Sequence, residues 1–431
     1  MLAFWGVVTI VMLFILVIGK KTSPVIALIL IPVITGILAG FWKDLPSLIG
    51  TGLLNIAPTG LMFVFAILFF GILMDAGTFD PIIDRLLAFA GNDPVKIAIA
   101  TAILAMVIHL DGSGAVTFLI AVPAMTPVYD RMKMSRLTLA SIVALAAGTM
   151  NILPWGGPTL RASTSLNIPV TELFNPILIP VLVGLACVLV IAYYFGLQER
   201  KNINFSGTEK HQTNQPKVSE KKELARPKLF WLNVLFVLVT ISCIIFNLAP
   251  PHIVFMIAFA VALLINYPKV SEQKARIDAH AKEAMLMASI LFAAGCFTGI
   301  LKGTGMTEAM AGEVVNLIPE QVGRQIPLIT GIFAMPVSLL FDPDSFYFGI
   351  LPLLSTSAEY FQASGLEVGR AAILGQMTTG FAVSPLTGST FLLIGLAGVE
   401  LGEHQKKTIP WAFLITLIMV FVAILIGAIS V

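Results

Sequence analysis

Apolar runs of about 20 residues recur along this chain, at positions 2–19, 24–41, 171–196, 229–247 and 409–431. As helices, runs of that length cross a hydrocarbon core roughly 30 Å thick. Hydrophobic residues make up 57% of the 431 positions and charged residues 12%, which excludes a water-soluble globule with an ordinary polar surface. Lipid is the solvent, so every backbone amide and carbonyl must find its partner inside the protein. The first run lacks a charged leader and a small-residue cleavage site and reads as a retained helix, not a signal peptide. Cys187, Cys243 and Cys296 sit far apart in apolar stretches without ligand spacing. They are expected in the core, with no disulfide framework. The net charge of +2 gives no sign of an acidic partner, and no nucleic-acid binding is expected.

One long hydrophilic segment, 199–228, rich in Lys, Glu, Gln and Ser, separates an N-terminal half (1–198) from a C-terminal half (229–431). The halves keep a common register. Asp111 and Asp342 stand 231 positions apart, and so do Pro154 and Pro385, Gly157 and Gly388, and Thr159 and Thr390. Upstream, "GILMDAG" from Gly71 and "GILKGTG" from Gly299 correspond at a slightly shorter offset. With the N-terminus outside and 97–129 and 326–357 entering and leaving on one face each, 21 of the 26 Lys and Arg residues fall on the cytoplasmic side. The C-terminus then lies outside and the central linker inside. Half one starts outside and half two inside, so the repeats are inverted, a layout common among secondary transporters. The expected fold is an all-α polytopic membrane protein. Each inverted repeat holds a re-entrant hairpin (about 97–129 and 326–357) and a broken transmembrane helix (about 137–168 and 370–400). Stretches 79–90 and 306–318 have the polar spacing of interfacial helices.

Four stretches interrupt helical continuity: "LDGSGAVT" from Leu110, "NILPWGGPTLRAS" from Asn151, "FDPDSFYF" from Phe341 and "FAVSPLTGSTF" from Phe381. They are either membrane-edge loops or breaks at membrane depth, which survive only against protein or a wet cavity. The matched registers favour breaks. Glycine and proline there free backbone groups, and the helix that follows presents its positive N-terminal end to an anion. Ser113, Thr117, Ser345, Ser384, Thr387, Ser389 and Thr390 offer hydroxyls, and Asn151 an amide; each taken singly also suits helix packing.

Asp111, Asp342 and Asp344 are sharper. A carboxylate at mid-membrane costs about 2.5–3.5 kcal/mol even on insertion scales. A divalent cation offsets that cost, and so does a proton; the alternative makes Asp111 and Asp344 helix N-caps and leaves Asp342 at an interface. His109 reads as a proton relay or as a hydrogen-bonded structural imidazole. Arg161, just beyond the first break, either grips a carboxylate through two parallel hydrogen bonds or anchors at the outer interface.

With "HLDGSGAVTFLIAVPAMTPVYDR", "AAGTMNILPWGGPTLRAS", "FDPDSFYFGILPLL" and "MTTGFAVSPLTGSTFLL", the chain resembles the CitMHS family of bacterial citrate–metal symporters, within the ion transporter superfamily, over essentially its whole length. The resemblance implies a homodimer in the cytoplasmic membrane that takes up citrate complexed with a divalent cation (Mg²⁺ or Ca²⁺). It also implies proton drive and an elevator-like transport domain. The cation travels as part of the substrate; no other cofactor is implied.

By motif position the substrate would meet Gly112, Ser113, Gly114, Asn151, Gly156, Gly157, Thr159, Ser345, Ser384, Thr387, Gly388, Ser389 and Thr390, and Arg161 joins them on the chemistry of its guanidinium. Asp111, Asp342 and Asp344 would face the metal, with Asp111, Asp342 and His109 coupling protons. The chain lacks the Ser-Asn-Thr triplets of the superfamily's dicarboxylate transporters, carrying Asp-Gly-Ser and Asp-Pro-Asp-Ser instead. That points away from sodium coupling. Transport of another organic anion, or sodium/proton antiport, is the competing reading on the same scaffold. An intramembrane aspartyl protease is disfavoured because its Tyr-Asp and Gly-Asp dyads are absent, and a channel because no filter-like ring of charges is present.

Overall fold

The computed structural model describes residues 1–19, 21–112, 114–203, 224–384 and 386–430. Lys20, Ser113, Pro385 and most of the expected linker (204–223) lie outside them. The described residues are helical, with no strand among them. Half one runs α1 (Leu2–Ile18), α2 (Pro24–Leu38), α3 (Leu45–Asp75), α4 (Asp80–Ala90), α5 (Pro94–Ile108), α6 (Gly114–Arg131), α7 (Arg136–Met150), α8 (Gly157–Leu166), α9 (Val170–Phe174) and α10 (Leu178–Ile203). Half two runs α11 (Phe230–Ile245), α12 (Pro251–Asn266), α13 (Val270–Gly303), α14 (Met306–Leu317), α15 (Glu320–Gly323), α16 (Ile326–Val337), α17 (Leu351–Tyr360), α18 (Gly365–Gly380), α19 (Gly388–Ala397) and α20 (Leu401–Leu425). Six stretches among the described residues are long and apolar enough to cross a membrane: Leu45–Asp75, Pro94–Asp111, Val170–Lys201, Pro227–Ile245, Ala284–Gly303 and Leu401–Leu425. The runs at 2–19 and 24–41 form helices of 17 and 15 residues, shorter than the apolar pattern suggests.

Much of the element order of half one recurs in half two, with α9 and α15 lacking counterparts among the described residues. α8 and α19 are both ten residues long and begin 231 positions apart. Both end on left-handed residues, Asn167 (φ +60°) and Gly398 (φ +67°), at the same separation. Gly114, which opens α6, matches Ser345, which opens the π-helical turn Ser345–Ile350 leading into α17. The arms α5 and α6 run side by side, tied by Thr101 Oγ1 to Tyr129 OH at 3.1 Å and by His109 Nδ1 to Thr117 Oγ1 at 2.8 Å.

Packing divides the helices into two groups. One apolar core joins α5, α6, α7 and α10 to α16–α20. Two others surround α3 and α13, with α12 on one side and α1, α2 and α14 on the other; Trp155, Leu160 and Phe348 reach into them from the first group.

The axis of the second group is the α3–α13 crossing. Gly295, Gly299 and Gly303 repeat every fourth residue on one face of α13 and let the backbones touch, which favours association in lipid, where close packing is a main attraction between helices. A Cβ on Gly52 would fall 2.1 Å from the Gly295 carbonyl oxygen and 2.9 Å from the Gly299 Cα. Gly50, two residues earlier, faces open space. Gly52→Val therefore forces the crossing apart at about 1–3 kcal/mol or more, whereas Gly50→Ala is neutral to stabilising by up to about 1 kcal/mol. Thermal unfolding of the purified protein in detergent should lower the midpoint for the first variant only.

Candidate functional site

The first hairpin turns where α5 ends in a single 3₁₀ turn, His109–Asp111, and Gly112 takes a left-handed φ of +75°. Only glycine fits well there. Its φ is unfavourable for other residues, and a Cβ would meet Trp155 at 3.3 Å. Trp155, from the first break, donates its indole N–H to the Leu110 carbonyl at 2.8 Å. His109 and Asp111 are both buried. The imidazole lies 5.5 Å from the Phe381 ring, which belongs to the second break and also stacks on Phe118 at 5.2 Å. A Cβ on Gly114 would fall 1.8 Å from that same ring. The first tip is therefore clasped by both breaks.

In the first break α7 stops at Met150 and α8 starts at Gly157. The Thr159 hydroxyl donates back to the Ile152 carbonyl at 2.8 Å, and a Cβ on Gly156 would lie 1.9 Å from the Asn151 carbonyl oxygen. Arg161 leaves α8 one turn beyond Gly157. Its Nε donates to Asp344 Oδ1 at 2.6 Å, with the two side chains 12% and 13% exposed. That ion pair joins a break of half one to a hairpin tip of half two.

At the second tip Asp342 accepts from the Ser345 hydroxyl at 2.5 Å and from its amide at 3.2 Å, capping the turn that leads into α17. In the second break the Thr387 hydroxyl donates to the Phe381 carbonyl at 3.1 Å and lies 2.8 Å from that of Thr390. Ser384 Oγ accepts from the Leu386 amide at 3.3 Å. Gly388 and Ser389 open α19.

Most of the residues expected from the sequence thus lie at the tips and breaks; Ser113 falls outside the described residues. Several hydroxyls expected to meet substrate, those of Thr159, Ser345, Ser384 and Thr387, hold their own chain in shape. Asp344 and Arg161, expected to face a metal and a free carboxylate, face each other. Among the described residues no three His, Cys, Asp or Glu side chains converge into a metal-holding group, so Asp111, Asp342 and Asp344 form no three-carboxylate cage.

Trp155 and Phe381, which clasp the first tip, are not among the residues singled out from the sequence. Their signal was a large aromatic beside helix breakers, in "LPWGGP" and "GFAVSP". A cavity of about 620 Å³ opens beside α8, between Asn55 and Thr59 of α3, Ser163 and Asn167 at the far end of α8, and Asn247 and His252 before and within α12.

Residues 8–375 match the family described as "Citrate transporter", CitMHS. The chain is 45% identical over 430 residues to a citrate transporter of Bacillus subtilis strain 168. It is 38% identical over 433 residues to a Mg(2+)/citrate complex secondary transporter of the same organism, with both alignments covering all of each protein. In fold it is similar to the crystal structure of the Alcanivorax borkumensis YdaH transporter, described as having an unusual topology. The TM-score is 0.58 at 12% identity, over 90% of this chain and 89% of that one.

Removing either partner of a mostly buried ion pair leaves an uncompensated charge, at about 3–5 kcal/mol. Arg161→Gln and Asp344→Asn together are expected to lower stability in detergent by about 1–3 kcal/mol less than the sum of their separate effects, the coupling energy of the double-mutant cycle. Additive effects would show that the two groups do not sense each other.

Proposed function

Because the chain belongs to the citrate transporter family CitMHS, and so is a multi-pass membrane transporter and not an enzyme, we propose that it imports citrate as a complex with a divalent cation, Mg²⁺ or Ca²⁺, together with protons. The observation that carries this reading is the Arg161–Asp344 pair. It brings a break and an acidic tip from opposite halves to one place, flanked by the starts of α8 and the π-helical turn. The relative named as a Mg(2+)/citrate complex transporter supports the substrate class.

Charge explains why such a site suits a metal complex better than the bare anion. Fully ionised citrate is a trianion, and one divalent cation reduces the complex to a single negative charge, far cheaper to desolvate. Asp111 and Asp342 repel free citrate but attract the metal face of the complex or take up a proton. Citrate's own oxygens complete the cation's coordination, so the protein needs no carboxylate cage of its own. Arg161, released from Asp344, or the amides opening α8 and α19, receive the remaining carboxylates.

In this reading the two halves are inverted repeats, residues 1–198 and 229–431 about the 199–228 linker, in a bacterial cytoplasmic membrane with both termini outside. The hairpin-bearing group of helices is the moving body of an elevator, the α3–α13 group is its fixed frame, and two copies form a homodimer. The cavity between α3 and α8 is the aqueous approach from outside.

Uptake of labelled citrate into proteoliposomes tests the reading, with each divalent metal added in turn, with and without an imposed pH gradient. Accumulation is expected only with a chelated metal and only with the gradient. Asp111→Asn and Asp342→Asn should each abolish gradient-driven accumulation; full uptake by either variant rejects the assigned role. Competition by malate, gluconate or lactate stronger than by unlabelled metal–citrate would favour another organic anion.

A further inference from the structure

A buried polar chain unused by the site above runs from the second break to the other half of the protein. His404, in the first turn of α20, is fully buried. Its Nε2 lies 3.0 Å from the carbonyl oxygen of Ala382, inside the break, and its Nδ1 lies 3.3 Å from the Thr408 hydroxyl. Thr408 is in turn 2.9 Å from the hydroxyl of Ser141 on α7, and Ser141 donates to the Leu137 carbonyl at 2.8 Å. Beside the ring, the Gln405 side chain donates to the Val383 carbonyl at 3.0 Å. Two consecutive free carbonyls, immediately before Ser384, are therefore held by α20.

Counting hydrogens shows what the chain can report. A carbonyl only accepts, so His404 Nε2 must carry a hydrogen. Ser141 spends its hydrogen on Leu137 and can only accept from Thr408; Thr408 has then spent its own and can only accept from His404 Nδ1. All four contacts exist together only when both ring nitrogens are protonated. In the neutral ring Thr408 must turn its hydrogen toward Nδ1, and the link to Ser141 is lost.

No carboxylate contacts the ring among the described residues. The nearest charged groups along the chain are Glu400 at the N-cap of α20 and Glu403, Lys406 and Lys407 within it; α7 carries Arg136 at its start and α10 carries Glu199. Glu199 accepts from Thr138, which also receives Lys407 Nζ at 2.5 Å.

We propose that His404 is a proton-binding site that positions the second break: with the imidazolium in place, the Ala382–Ser384 segment is pinned through α20 to α7, and loss of the proton slackens it. His404 is a positioning residue, acting on substrate through the break. The inference rests on metal–citrate being the transported species but not on protons driving the transport.

Equilibrium exchange of labelled citrate with Mg²⁺, at equal pH on both sides of the vesicle, isolates it. Comparing variant with wild type at each pH cancels the substrate's own ionisation. In a pH series, the wild-type KM should rise as the ring loses its proton. The increase relative to His404→Gln should be about 2- to 10-fold, the worth of one hydrogen bond. The glutamine keeps a donor for Ala382 and an acceptor for Thr408 but cannot titrate, so it should exchange citrate with that step absent. Thr408→Val removes the acceptor for Nδ1–H and should move the step to lower pH. Identical pH profiles for wild type and His404→Gln, or an unmoved step in Thr408→Val, overturn the proposal. A wild-type protein that exchanges no metal–citrate at any pH overturns the transport reading itself, and this inference with it.

Discussion

Backbone carbonyls released where a helix breaks inside lipid have no water to turn to, and the site is organised around answering them. The Leu110 carbonyl at the first tip receives the Trp155 indole. In the first break Ile152 receives Thr159. In the second, Phe381 receives Thr387, Ala382 receives His404 and Val383 receives Gln405. The donors come from elsewhere in the fold or from the helix that follows, so each break is shaped by its surroundings. One consequence concerns function. Side chains committed to their own backbone are not the groups offered to a ligand; what remains is the main chain at the starts of α8 and α19, together with Arg161 and Asp344 once their ion pair opens.

How much of this was legible in the sequence follows from which interactions are local. The constant 231-residue offset had a direct physical counterpart. Helix starts, lengths and left-handed ends depend on glycine, proline and asparagine at fixed positions, and two copies of such punctuation produce two copies of a broken helix. Gly112 beside Asp111 likewise marked a chain reversal. The Arg161–Asp344 pair was not legible, because its partners are 183 residues apart in sequence and each was assigned a ligand on its own chemistry. Neither was His404, a lone histidine in an apolar helix without a motif. Its role depends on Ala382 and Ser141, which come from different halves.

The repeat is also incomplete in ways that matter. At the shared offset, Trp155 corresponds to Leu386, Phe381 to Met150 and His109 to Leu340. The aromatic clasp and the buried imidazole beside it belong to the first tip alone, while the second tip is closed by Asp342 on Ser345 and by the ion pair. Two tips built alike in backbone but differently in side chains can divide labour. Both hold a carboxylate, but the first packs its buried imidazole against the Phe381 ring, whereas the second carries an ion pair.

That balance bears on coupling. Asp111, Asp342, Asp344 and Arg161 together carry a formal excess of two negative charges when all are ionised. A metal–citrate complex adds one more. On the proposed reading, a formal excess of three negative charges in a weakly polar surround is unfavourable, since the same separation costs several times more at low dielectric than in water. Turning the metal face toward the tips relieves part of this, but the carboxylates of the complex still have only Arg161 and helix amides to meet, and using Arg161 releases Asp344. In this reading, proton uptake on the tips supplies the compensation. On the proposed reading, protons therefore travel with the substrate because the site cannot close over the complex without them.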